Sequence, residues 1–178
     1  MDFTPGNASF FDSLGQREGV FWVDNTRYIA EIEKTQANAF VWLRPRRFGK
    51  SLFLNTLDAY YNVLYKNDFE KNFGHLWIGK HRTQDQGSYH VLQIDFGSLD
   101  ITSLDSFRKS FNELINTSIE AFQIYGIKTE ILRDDAISSL RKVFNVITQQ
   151  KKKVRHNKKF FFSFSLLIEE FFQGFSFD

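Results

Sequence analysis

Cysteine is absent from the 178-residue chain, which excludes disulfides and thiolate metal sites and suits a reducing compartment. An excess of one charge is missing too. Lys and Arg number 23 against 21 Asp and Glu, a net charge of +2, so there is no bulk electrostatic case for nucleic acid or an anionic membrane. The four histidines, His75, His81, His90 and His156, show no ligand spacing such as i and i+4, which argues against a metal site built on them. The N-terminus, Met1-Asp2-Phe3-Thr4-Pro5-Gly6-Asn7, lacks the basic start and continuous apolar run of a secretory signal. No stretch reaches the roughly 20 apolar residues that a bilayer span requires. These absences predict an intracellular protein, cytoplasmic by default.

What is present is ordinary in bulk: 42% hydrophobic and 25% charged residues, in a length that makes about one domain with a real core. The 22 phenylalanines are the outlier. The chain is organised around Trp42-Leu43-Arg44-Pro45-Arg46-Arg47-Phe48-Gly49-Lys50-Ser51-Leu52. An apolar run from Ala39 to Leu43 enters it, and a helical pattern starting near Ser51 leaves it. Strand, tight loop with Gly-Lys-Ser, then helix is the arrangement of a phosphate-binding P-loop. Amides at a helix N-terminus point outward and carry partial positive charge. Gly49 lets the backbone close around a phosphate, and the Lys50 ammonium adds a full charge at the outer phosphates. The Ser51 hydroxyl is a ligand for a Mg2+ ion that keeps most of its waters. The general motif has glycine where this chain has Arg44. The donors come mostly from the end of the loop, so Pro45, without an N–H, sits where a donor matters least. This reading assigns nucleotide binding to Arg46, Arg47, Phe48, Gly49, Lys50, Ser51 and Leu52, with ATP and Mg2+ as ligands. The other reading is a basic surface loop that happens to spell Gly-Lys-Ser.

Leu43 to Leu52 resembles the signature of the AAA-ATPase-like family of P-loop NTPases, which has Arg-Pro-Arg-Arg-Phe-Gly-Lys-Ser in this place. Phe21-Trp22-Val23-Asp24-Asn25-Thr26 is similar to that family's Tyr-Val-Asp-Lys-Thr element, with Asn25 in place of lysine. Tyr89-His90-Val91-Leu92-Gln93-Ile94-Asp95-Phe96 resembles the strand that follows the first helix and an irregular segment. The resemblance covers about residues 10 to 150. It implies an α/β fold with a parallel sheet flanked by helices, and a polar contact from Asp24 near the nucleotide. The residue pattern alone makes Asp24 a helix cap. Family members are often joined to a nuclease-like domain, and no segment of this chain supplies one.

Taken in order, the chain divides into a lead-in (1–38), a P-loop core (39–150) and a basic, then Phe-rich tail (151–178). The lead-in offers a short strand at 19–23 and a helix at 26–34 with Tyr28, Ile29 and Ile32 on its apolar side. Residues 39–44 read as a buried parallel strand. A helix at 50–64 places Leu52, Phe53, Thr56, Leu57, Tyr60 and Leu64 on one stripe. There the Tyr60-Tyr61 pair reads as core rather than as a stacking site for a base. Residues 66–89 read as a loop-rich insert with one short helix. Val91 to Phe96 forms a second strand. Its terminal Asp95 is a candidate Walker B carboxylate for Mg2+, although the resembled family places its acidic residues later, and turn chemistry explains it equally. Helices follow at 104–125, ended by Gly126, and at 134–149, with Ile137, Leu140, Val143, Phe144 and Ile147 facing inward.

From Lys151 to Lys159 there is no acid, and residues 160–178 hold eight phenylalanines. The basic run suits a nuclear import signal or a polyanion patch, and the apolar part a membrane surface. A read-through or frame-shifted extension of an interrupted domain, beginning near residue 153, is the reading preferred for the tail. The resemblance stops before the Asp-Glu strand, so the fold is expected to be incomplete, hydrolysis weak, and no catalytic residue is assigned. Two alternatives stand beside nucleotide binding: a non-enzymatic module that binds protein or polyanion through its tail, and a nonfunctional fragment.

Overall fold

A computed structural model describes residues 23–35, 41, 43, 45, 48–153 and 159–165. The chain separates into two compact units, Met1–Tyr89 and His90–Asp178. The fold is mixed and mainly helical. The strand expected at 19–23 lies outside the described residues except for Val23, which is exposed.

The first unit contains α1 (Arg27–Thr35), α2 (Lys50–Tyr61), α3 (Phe69–Phe73) and α4 (Trp77–Lys80), with a 3-10 turn at Val63–Asp68. α1 buries Ile29 completely, and α2 buries Phe53, Thr56, Leu57, Ala59, Tyr60 and Tyr61. The expected helix to residue 64 stops at Tyr61, and Leu64 is exposed rather than part of the stripe. Asn62 supplies the reason. Its backbone turns extended at ψ 126°, and its side chain accepts from Leu64 N at 2.9 Å, an alternative to the helical bond.

The insert at 66–89 is more ordered than expected, with two short helices where one was expected. Phe69, Phe73, Leu76 and Ile78 are buried, and the Tyr60 ring packs edge-on against Phe69 at 6.0 Å and Phe73 at 5.4 Å. Much of the apolar area of this unit therefore comes from rings in helices too short to show a period. Gly79 sits so close to α3 that an added Cβ would lie 2.1 Å from the Phe73 carbonyl oxygen.

The expected core strand at 39–44 is not found at its described positions. Val41 and Leu43 have no regular structure and are 78% and 76% exposed. Burial of an apolar strand depends on neighbours to pair with and helices to cover it, and neither residue has them among the described residues. Sheet pairing there is limited to β1 (Tyr89–Asp95) with β2 (Lys159–Ser165), plus a single parallel bridge between Asn62 and Tyr89.

The second unit packs α5 (Leu104–Phe122) and α6 (Ala136–Lys153) with β1. Leu92 and Ile94 of the strand meet Ile115, Ile119, Phe122, Ile127, Val143 and Ile147 in one buried cluster. Ser103 caps α5 by accepting from Ser106 N at 3.0 Å, and a 3-10 turn at Gln123–Tyr125 ends at Gly126, as expected. Asn112 of α5 accepts from Ala136 N at 3.0 Å, so one helix caps the next. The helical periods are right but the stripes are narrower than expected: Leu104, Ile137 and Phe144 are 64%, 56% and 41% exposed. α6 continues through Lys153, and β2 forms inside the stretch read as a doubtful tail.

Candidate functional site

The start of α2 is built by two turns in succession. Phe48 N donates to Pro45 O at 3.3 Å, and Gly49 then takes the left-handed conformation at φ 72°, ψ 24°. A residue with a Cβ is strained at that φ, so glycine is what allows the loop to turn directly into the helix. The first helical bond runs from Phe53 N to Gly49 O at 2.9 Å, which leaves the amides of Lys50, Ser51 and Leu52 without helical partners. No side chain among the described residues caps this end. An added Cβ at Gly49 would meet nothing within 4 Å among the described residues, so it is the backbone conformation that calls for glycine here. Ser51 is exposed, Lys50 and Leu52 are half-buried, and Phe48 is 63% exposed. Arg46 and Arg47 lie outside the described residues.

Tyr28 of α1 stands beside this turn, its ring edge-on to Phe53 at 6.5 Å. The Arg27 guanidinium lies 5.0 Å over the Tyr28 ring and donates to its hydroxyl at 3.3 Å. Arg27 belongs to no motif in the sequence, and its one signal there is its place directly after Asp24-Asn25-Thr26.

Asp24 is a clamp. One carboxylate oxygen accepts from Thr26 N at 2.8 Å and Thr26 Oγ1 at 2.6 Å, the start of α1. The other accepts from Trp77 N at 2.7 Å, the first residue of α4. In place of the helix cap expected from the sequence, the carboxylate closes a turn on Thr26 just ahead of α1 and also joins a second helix across 53 positions. Partial burial raises the Asp24 pKa, but hydrogen bonds from Thr26 and Trp77, aided by His75, outweigh it and hold the carboxyl below its usual range. A depressed folded-state pKa contributes stability that is present above the unfolded value and lost as pH falls through the folded one. Thermal unfolding followed across a pH series should therefore show stability declining below about pH 4. Asp24→Asn should flatten that decline, and an unchanged acid slope would remove Asp24 as its source.

Around the far end of α2, Tyr60 and Tyr61 are core, as expected, and also polar anchors. Thr83 Oγ1 donates to Glu33 Oε1 at 2.7 Å, and Thr83 N donates to the Tyr60 hydroxyl at 2.9 Å. The Tyr60 hydroxyl lies 2.8 Å from Thr83 Oγ1, whose own proton is committed to Glu33, so the phenol is the donor in that contact. Tyr61 is also hydrogen-bonded to Glu33, and burial together with that carboxylate pushes its pKa far upward.

Asp95 ends β1 in the second unit, exposed, and its Oδ1 accepts from Gly97 N at 3.0 Å in a turn. Among the described residues no group of three or more His, Cys, Asp or Glu is arranged to hold a metal ion. Nor is any helix long and apolar enough to cross a membrane.

Comparison with curated proteins and with solved structures gives no match. A protein-family model described as "Predicted AAA-ATPase" matches residues 8–162, further than the expected extent of about 10 to 150. The match takes in the glycine turn, both helices that flank it and all of β1. On that coverage the chain belongs to the AAA-ATPase-like family.

Proposed function

We propose that the chain binds ATP with Mg2+ through residues 46–52, on a P-loop NTPase type of parallel sheet. The observation that carries this reading is the left-handed Gly49 opening directly into the uncapped first turn of α2. Amides of Lys50, Ser51 and Leu52 supply the donors that a phosphate accepts, and the helix dipole adds to them. Lys50 pairs with the β and γ phosphates as a point charge. Ser51 gives Mg2+ one oxygen ligand, with water and phosphate oxygens completing the shell. Arg46 and Arg47 add phosphate contacts, and Phe48 and Leu52 bracket the loop. Turnover also needs a residue that orients the attacking water, and none is assigned. Binding is the proposed activity.

Titration calorimetry with Mg-ATP tests it. Lys50→Ala should weaken binding by at least roughly tenfold, the loss expected for a hydrogen bond to a charged group, with an unchanged melting temperature in the absence of ligand. Equal affinity in the variant would eliminate the P-loop reading.

A further inference from the structure

The stretch from His75 to Gln84 contains His75, Lys80, His81 and Arg82 and not one acid. Net charge gives no general affinity for polyanions, but this segment is locally cationic. Its exposed face is also aromatic. Trp77 is 38% exposed and stacks on His81 with ring centroids 3.9 Å apart and planes 9° from parallel. His81 Nδ1 lies 2.8 Å from the Trp77 carbonyl oxygen, and a carbonyl only accepts, so Nδ1 carries the proton and the imidazole is held in the plane of the stack. Leu76 and Ile78 are buried on either side of Trp77, which anchors the turn and directs the indole outward. The ring pair is thus ordered before any ligand arrives, which lowers the entropic cost of binding.

Cations flank it. Lys80 and Arg82 are exposed on the same short segment. Arg82 is oriented by the Phe69 ring, 4.7 Å beneath its guanidinium, and by a hydrogen bond to Gln86. The acids that contact or adjoin this segment are engaged: Asp24 by Thr26 and the Trp77 amide, Glu33 by the Thr83 hydroxyl, and Asp85 by the Tyr89 hydroxyl. A preformed stack of rings with two exposed cations on the same segment matches the chemistry of a nucleobase followed by its backbone phosphates. We infer that this face binds single-stranded nucleic acid, with a base stacking on the Trp77–His81 pair and phosphates meeting Lys80 and Arg82. The site uses none of residues 46–52 and stands apart from the ATP proposal.

Fluorescence anisotropy of a labelled oligothymidylate about 16 nucleotides long, near the upper site size of one small domain, is the test. The intact chain should bind it saturably at low salt and more weakly as salt rises. Trp77→Ala should lose roughly 5- to 100-fold in affinity, while Trp77→Phe, which keeps a stacking face, should stay within about threefold of wild type. Lys80→Glu combined with Arg82→Glu should lower the salt slope by about 1.4, the value for two phosphate contacts on a single strand. Both side chains are exposed, so that arm holds even if Trp77→Ala destabilises the fold. Lys50→Ala and excess Mg-ATP should leave oligonucleotide binding unchanged. Absence of binding, an undiminished Trp77→Ala affinity in a folded variant, or full displacement by Mg-ATP would each overturn the inference. The last outcome would place the oligonucleotide in the phosphate loop instead.

Discussion

Gly79→Ala should abolish cooperative unfolding of the first unit, or lower its stability by more than about 3 kcal/mol. The φ of Gly79 is not the difficulty. A Cβ there would fall 2.1 Å from the Phe73 carbonyl oxygen and 2.9 Å from the Gly74 Cα, both backbone atoms that cannot swing aside. Relief requires α4 to separate from α3. That movement would uncover Phe73 and Ile78, which are fully buried, and loosen the Tyr60–Phe73 contact at 5.4 Å. Near-ultraviolet dichroism during urea titration reports the tyrosine and tryptophan environment directly. A wild-type midpoint in Gly79→Ala would mean that the close approach is absent in solution.

Ile119→Ala should cost about 2–5 kcal/mol, while Ile137→Ala, on the neighbouring helix, should stay within about 0.5 kcal/mol of wild type. Both isoleucines sit on helical stripes that the sequence marks as apolar. Ile119 is 0% exposed inside the cluster of Leu92, Ile115, Phe122 and Val143, so alanine leaves a cavity among side chains with little room to relax. Ile137 is 56% exposed and loses little contact on truncation. At a urea dependence of about 2 kcal/mol per molar, the first change moves the midpoint by at least about 1 M. Equal midpoints for the two variants would contradict the assigned faces of α5 and α6.

This pair shows where periodicity stops being informative. A repeat of three and four residues identifies α5 and α6 and one buried edge of each. It does not reveal the width of the face that a partner covers, which is why Leu104, Ile137 and Phe144 emerge exposed. Short helices fail in the opposite direction. With five residues, α3 cannot display a period, yet it supplies Phe69 and Phe73 to the core. Val41 and Leu43 mark a third limit, because apolar content says nothing about whether pairing strands are available. In the candidate site, Gly49, Lys50 and Ser51 were legible because the backbone turn and the uncapped helix start follow from local sequence. Tyr28 beside Phe53 and the Asp24 bond to Trp77 were not, because each depends on packing between distant segments.

The Glu33–Thr83–Tyr60 chain bears on how the first unit opens. Each donation polarises the next toward the same carboxylate, so the contacts strengthen one another. Losing Thr83 from its place would deprive Tyr60 of a donor and an acceptor together and would leave Glu33 short of one of its partners. Such coupling opposes fraying one residue at a time. Hydrogen exchange is the observable: amides of α1, the end of α2 and the segment around Thr83 should share one opening free energy although they lie up to 50 positions apart in the chain.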